Sequence, residues 1–162
     1  TPLVLLAAAA TMPFAAAAHD GGNGFKADLD GFEEVPAVSS EASGRFKATY
    51  DRNAATITYE LKYDDINPTQ AHIHFGQRGV NGGIAVSLCS NLRNGPAGTQ
   101  ACPPAPATIK GTIQAVNVVG PAGQGITAGQ FDKLIEAIQE GVAYANMHTT
   151  AFPGGEARGQ LK

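Results

Sequence analysis

Hydrophobic and polar residues alternate with a period of two along much of the chain, which is typical of β-strands with one buried face. The alternation is clearest over residues 55–63, A-T-I-T-Y-E-L-K-Y, and recurs over residues 44–50. The turn D-R-N-A joins these two segments, so they are predicted to form an antiparallel hairpin. Further extended segments are predicted at 25–30, around 72–74, and at 83–89, 107–119, 142–148 and 156–161.

One short helix is predicted near residues 128–140. Thr127 and Gln130 have the spacing of a capping box, in which two side chains satisfy free N–H groups at a helix start. The apolar positions that follow form one stripe at helical spacing: Phe131, Leu134, Ile135 and Ile138. Gly141 then supplies a helix stop. About eight short strands and one helix predict an all-β fold, an antiparallel β-sandwich.

The N-terminal segment is predicted to lie outside this fold. Residues 3–18 are an uncharged run of mostly Leu, Val and Ala that ends in small residues. This pattern indicates a secretory signal peptide over residues 1–18, truncated at its start and cleaved after Ala18. A flexible stretch over 19–24 and a folded domain over 25–162 would remain, in a secreted or periplasmic protein. The run is too short and too rich in alanine to predict a membrane anchor, and a buried or disordered tail is the alternative.

Charge and cysteine content narrow the classes of partner. The net charge of the 162-residue chain is −3, with both signs interspersed, which gives no electrostatic case for binding nucleic acid or an anionic membrane. The two cysteines, Cys89 and Cys102, enclose a short loop and are predicted to form a disulfide in an exported protein. The alternative, a redox or thiolate–metal pair, lacks the C-x-x-C spacing and a nearby histidine.

Three histidines form a candidate metal site. His72 and His74 are two positions apart in a predicted strand, so their side chains share one face. His148 closes another predicted strand and would complete the site from a neighbouring position. Neutral imidazole is a common ligand of copper and zinc, and an open three-histidine site favours copper, with zinc as the alternative. The histidines would otherwise be structural, holding glycine-rich loops through hydrogen bonds.

Three further residues are candidates, one at a separate N-terminal position and two beside the histidine cluster. After cleavage at Ala18, His19 would begin the mature chain and offer both its α-amine and its imidazole to a metal ion, although an ordinary flexible start is the alternative. Glu156 and Arg158 are expected to form an ion pair or a hydrogen-bond network that supports the ligands. No Ser-His-Asp or Cys-His arrangement stands out, so the sequence does not demand an enzyme.

Four segments carry a resemblance to a known family: E-V-P-A-V-S, A-H-I-H-F-G-Q-R-G-V-N-G, L-C-S-N-L-R-N-G-P-A-G-T-Q-A-C-P and A-N-M-H-T-T-A-F-P-G-G-E-A-R-G-Q-L. In this order they resemble the CHRD domain, which occurs in chordin and in small exported bacterial proteins. The resemblance implies an all-β sandwich with a remote likeness to that of Cu,Zn superoxide dismutase, and implies little about activity. A dinuclear dismutase site is not expected, because it would need a fuller ligand set.

Three functions are therefore compared. The favoured hypothesis is a protein that binds a metal ion, with copper preferred, through His72, His74 and His148. The competing class is a structural or adhesion module that holds a protein or a glycan, its histidines being purely structural. A weaker alternative is a mononuclear copper enzyme that acts on oxygen species.

Overall fold

Eight antiparallel strands form one continuous sheet in the computed structural model, which describes residues 23–162. In chain order the strands are β1 (Gly24–Asp30), β2 (Ser43–Asp51), β3 (Thr56–Asp64), β4 (Gln70–Phe75), β5 (Gly83–Ser90), β6 (Ala107–Ile113), β7 (Ala143–His148) and β8 (Ala157–Gln160). Their order across the sheet is β5-β4-β7-β8-β1-β2-β3-β6. The predicted all-β antiparallel fold with eight strands and one helix is confirmed. The predicted signal peptide and His19 lie outside the described residues.

The two ends of the sheet curve towards each other and nearly close it into a barrel. The hydroxyl of Tyr59 on β3 donates a hydrogen bond to the carbonyl of Leu88 on β5, at 3.1 Å. Gln100 bridges the two edge strands, because its carbonyl accepts from the amide of Ser90 on β5 at 2.9 Å and its Nε2 donates to the carbonyl of Lys110 on β6 at 3.0 Å. These bonds occupy polar groups at both sheet edges, which exposed edge strands would leave free.

The hydrophobic core lies on one face of the sheet, where the alternating apolar positions meet. Fully buried side chains from several strands contribute to it: Phe46, Ile57, Leu61, Tyr63, Ile73, Leu88 and Met147. On β1 to β3 the opposite face is largely solvent-exposed, as the sequence pattern predicts. All six residues of β7 are buried, since loops cover its second face as well. The central strands β4 and β7 are therefore buried on both faces. The histidines lie on the face opposite the hydrophobic core.

The helix α1 (Phe131–Gln139) begins later than the capping-box pattern predicts. Half of the box is present, because the Thr127 amide donates to Oε1 of Gln130 at 2.7 Å. The amide of Gln130, however, donates to the carbonyl of Thr127 at 3.2 Å. Residues 127–130 therefore form a turn ahead of the helix, and Gly129 has a φ of 84° there. No helix within residues 23–162 is long and apolar enough to cross a membrane.

Strand β6 ends at Ile113, six residues before the predicted end of its extended segment. A 3-10 turn, Ala115–Asn117, follows it. The side-chain oxygen of Asn117 accepts a hydrogen bond from the amide of Gln114 at 2.8 Å. Such local bonds from asparagine compete with strand pairing. This explains why the apolar alternation beyond Ile113 does not continue the strand.

A disulfide joins Cys89, near the end of β5, to Cys102. The side chain of Asn91 spans the same loop: its Nδ2 donates to the carbonyl of Cys102 at 2.8 Å, and its Oδ1 accepts from the amide of Cys102 at 3.0 Å. The loop between the cysteines also carries Gln100, which bridges the edge strands. The disulfide therefore ties down the segment that closes the sheet.

Replacing both cysteines with alanine should lower the free energy of unfolding by about 3 kcal/mol, because a closed loop of this size restricts the unfolded chain by that amount. Urea denaturation of the oxidised wild type and of the Cys89→Ala/Cys102→Ala variant measures the difference. Wild type with and without a reducing agent provides the control. An unchanged denaturation midpoint would contradict a stabilising role for this disulfide.

Candidate metal centre

The strand register places the three histidines on one face. Strands β4 and β7 are neighbours, and their antiparallel register pairs Gln70 with His148, His72 with Asn146 and His74 with Tyr144. Directly opposed residues in an antiparallel pair project to the same side of the sheet. The spacing of two on β4 and the register between the strands together assemble the cluster.

The imidazoles are close together and buried. His72, His74 and His148 are 2%, 7% and 6% exposed. Nδ1 of His72 lies 3.2 Å from Nε2 of His148. One nitrogen from each ring can be chosen so that all three lie within 4.8 Å of one another. The sequence-predicted group is thus a single compact cluster of nitrogen donors that could hold a metal ion.

Backbone carbonyls orient two of the rings. Nδ1 of His74 lies 3.0 Å from the carbonyl oxygen of Gly82, and Nδ1 of His148 lies 3.1 Å from that of Pro153. A carbonyl oxygen only accepts, so each of these Nδ1 atoms carries the proton and each neutral ring keeps its lone pair on Nε2. Nε2 of His74 is buried and has no hydrogen-bond partner among the described residues. Buried polar atoms normally have partners, so this atom calls for an explanation.

All three rings are uncharged at neutral pH. Burial is the main cause that lowers the pKa of His72 to about 3, and repulsion from His148 and His74 in their protonated forms acts in the same direction. Burial likewise lowers the pKa of His74 to about 4, despite the hydrogen bond to Gly82. Burial also lowers the pKa of His148. A metal ion binds the neutral imidazole, so these pKa shifts keep the cluster in its ligand form.

A buried ion pair lies beside the cluster. Nε of Arg158, on β8, donates to Oε2 of Glu34 at 3.0 Å, and both side chains are almost fully buried. The guanidinium also donates to the carbonyl of Val80 at 3.1 Å and to Oδ1 of Asn81. Burial raises the pKa of Glu34 above its usual value, even though the charge and hydrogen bond of Arg158 lower it. At Glu34 the effect of burial on the pKa therefore outweighs the opposing effect of the neighbouring guanidinium.

Gly155 allows the loop between β7 and β8 to approach this ion pair. Its φ is 133°, a conformation that other residues rarely adopt. A Cβ atom at this position would lie 2.6 Å from Oε1 of Glu34 and 2.8 Å from Nδ2 of Asn146. Gly155, the second glycine of the motif P-G-G-E, is therefore required for packing against the buried polar groups.

Of the two expectations for Glu156 and Arg158, the ion pair between them does not form, and each takes part in hydrogen bonds with other residues. Oε2 of Glu156 accepts a hydrogen bond from the Thr149 hydroxyl at 2.6 Å, while Arg158 pairs with Glu34. Sequence patterns did not reveal this pairing, because Glu34 lies 124 residues from Arg158 and the E-V-P-A-V-S segment that it begins does not indicate a partner. Its neighbour Glu33 has the same charge and remains partly exposed, so composition alone does not separate the two.

The fold and the cluster define a class: an antiparallel β-domain that buries three neutral histidines between its sheet and the covering loops. The model of the CHRD domain family matches residues 25–161. The chain belongs to the CHRD domain family. No curated protein and no solved structure matches it significantly.

Proposed function

We propose that this chain is an exported protein that binds one transition-metal ion, with copper favoured, through His72, His74 and His148. The observation that carries the proposal is the buried, unpartnered Nε2 of His74, which lies in a cluster with two other neutral imidazoles. Leaving such an acceptor without a partner costs free energy, and a metal ion would recover it. A purely structural role accounts for the bonded nitrogens and leaves this atom unexplained.

Hydrogen bonds support the choice of ligand atom on two rings, and the contact between His72 and His148 supports it on the third. His74 and His148 would bind through Nε2, because a backbone carbonyl holds the opposite nitrogen of each ring. Metal-binding histidines commonly donate their second N–H in this way. His72 would bind through Nδ1, the atom that faces His148, once its proton moves to Nε2. The cluster thus offers three nitrogen donors, and a backbone carbonyl orients the ring in two of the three cases.

The donor set favours copper over other ions. Imidazole suits copper, zinc, iron and nickel, and copper(II) binds most tightly among the divalent first-row ions at a given site. Both cysteines are in the disulfide and cannot supply thiolate. Zinc is the alternative ion. The bound ion would supply Lewis acidity or, for copper, one-electron redox chemistry.

Export is part of the proposal. The apolar run over residues 3–18 has the pattern of a signal peptide, and the disulfide suits an oxidising compartment. Cleavage after Ala18 would leave His19 at the N-terminus as a separate candidate ligand. The folded domain over 25–162 would meet its metal in the periplasm or outside the cell.

We expect wild-type protein to bind one equivalent of copper, and His72→Ala to weaken binding by more than about 100-fold. Loss of a ligand should exceed the 10–100-fold loss that is common for residues that only support ligands. Titration against a coloured competing chelator measures the affinity. Gln70→Ala is the matched control, since Gln70 shares the strand and face of His72 and bonds to Asn94 instead.

Two further results would decide between the alternatives. Unchanged copper affinity in the His72, His74 and His148 variants, with loss in His19→Ala, would move the site to the N-terminus. No binding to wild type at micromolar copper or zinc would leave the histidines structural, holding the loops at Gly82 and Pro153. The search would then turn to protein and glycan partners of the domain.

A further inference from the structure

We propose that Arg158 is the positioning residue of the histidine site: it clamps the two loops that cover the site and thereby fixes the ring of His74. The loops are the glycine loop, residues 76–82, and the glutamate loop, residues 31–42. This inference rests on the proposed metal-binding function and names the residue that controls the geometry of the same site.

The first link runs through the glycine loop. Arg158 donates to the carbonyl of Val80 at 3.1 Å and to the side chain of Asn81. The next residue, Gly82, accepts the hydrogen bond from Nδ1 of His74 at 3.0 Å. Arg158 therefore holds the backbone immediately before the carbonyl that orients this imidazole. A shift of the loop would rotate the His74 ring and move its free Nε2.

The second link is a stack of three side chains. The guanidinium carbon of Arg158 lies 4.4 Å from the centre of the Tyr144 ring. On the neighbouring strand, the ring of His74 lies 4.9 Å from that of Tyr144, with an angle of 6° between the planes. The hydroxyl of Tyr144 accepts the amide N–H of Gly82 at 3.0 Å. Tyr144 thus contacts both the His74 ring and the glycine loop that orients this ring.

The glutamate loop anchors the clamp from the other side. Oε2 of Glu34 accepts from Nε of Arg158 at 3.0 Å, which fixes the guanidinium in its plane. Asn81 also connects the two loops, because its Nδ2 donates to the carbonyl of Val35 at 2.9 Å. A planar guanidinium donates in several fixed directions at once, whereas an ammonium group is a compact charge without this fork. Lysine at position 158 would keep the charge and lose the fork.

A second ion pair joins the same two loops and provides a matched control. Arg78 of the glycine loop pairs with Glu33 of the glutamate loop, but the Arg78 side chain is 58% exposed. No hydrogen bond from the Arg78 side chain to Tyr144 or Gly82 is found among the described residues. If any arginine joining these loops sufficed, Arg78 and Arg158 would matter equally. The proposal predicts that only Arg158 affects the metal.

The test compares Arg158→Lys with Arg78→Lys in the full chain. We expect Arg158→Lys to bind copper 10–100-fold more weakly than wild type, the range found for residues that support ligands. The electron paramagnetic resonance spectrum of its copper(II) form should also change, because a rotated His74 alters the ligand field. Arg78→Lys should match wild type in both measurements. A general loss of stability would weaken binding without altering the spectrum of the loaded protein.

Asn81→Ala keeps the test decisive if Arg158→Lys folds poorly. Asn81 is exposed, so its truncation leaves the core intact while it removes one acceptor of the clamp. It should weaken copper binding in the same direction, by several-fold. Wild-type affinity and spectrum in both Arg158→Lys and Asn81→Ala would overturn the clamp alone. Failure of wild type to bind metal would instead overturn the metal-binding function on which the clamp depends.

Discussion

Replacing Glu34 with glutamine should lower the free energy of unfolding by about 3–5 kcal/mol, the cost typical of removing one partner from a buried ion pair. Arg158 is 3% exposed and would keep its positive charge in a site that solvent does not reach. Its bonds to Val80 and Asn81 would remain, but neither partner carries a negative charge. Urea denaturation at neutral pH, fitted with a common slope, measures the loss.

Two variants separate this effect from a general cost of removing charge. Glu33→Gln breaks the neighbouring exposed pair with Arg78 and should cost only about 0–1 kcal/mol. Glu34→Gln combined with Arg158→Met should recover most of the loss, since an apolar pair often replaces a buried ion pair at little cost. Equal effects of Glu33→Gln and Glu34→Gln would show that burial of the Glu34–Arg158 pair does not affect stability in solution.

The metal-free protein should lose stability as the pH falls from 7 to 5. Burial lowers the pKa of His72 to about 3 and that of His74 to about 4, whereas both lie near 6.5 in the unfolded chain. Below pH 6.5 the unfolded state therefore binds more protons than the folded state, so a lower pH favours unfolding. Each of the two histidines should cost about 2 kcal/mol over this interval, at roughly 1.4 kcal/mol per pKa unit. His148 acts in the same direction, because burial lowers its pKa too.

Urea denaturation of chelator-treated protein at pH 7, 6 and 5 measures this loss. The other aspartates and glutamates titrate mostly below this interval. Glu34 acts in the opposite direction to the histidines, because burial raises its pKa and the folded state therefore binds its proton more readily than the unfolded state. The histidine contribution is isolated by comparing variants. His74→Gln should reduce the dependence by about 1.4 kcal/mol per pH unit between 6 and 5, while Gln70→Ala should leave it unchanged. Equal stability of the metal-free wild type at pH 7 and 5 would show that the imidazoles are not buried in neutral form.

The sequence predicted the strands and the histidine cluster because both depend on short-range periodicity. A spacing of two places His72 and His74 on one face of any strand. Alternation along β3 similarly predicts its buried positions, which the structure shows. The prediction needed one long-range guess, that the strand ending in His148 lies beside β4. The structure shows that β7 is indeed the neighbour of β4, with Gln70 opposite His148.

The surroundings of the cluster could not be predicted in this way. Arg158 reaches Glu34 and Asn81 across two loops, and such contacts depend on the path of the backbone in three dimensions. Tyr144 alternates with Asn146 on β7 like any strand residue, and its stacking against His74 requires knowledge of the register. Short-range patterns also misplaced the ends of elements, as at Thr127, where a box motif forms a turn ahead of the helix.

Anomalous diffraction at the copper edge, on crystals of protein purified with one equivalent of copper, would locate the metal relative to the three histidines. We expect one peak between the three rings, bound by Nδ1 of His72 and by Nε2 of His74 and His148. Distances to the nitrogens should be about 2 Å, as for zinc–histidine bonds. A peak at His19, at a surface site alone, or no peak between the rings would contradict the three-histidine site.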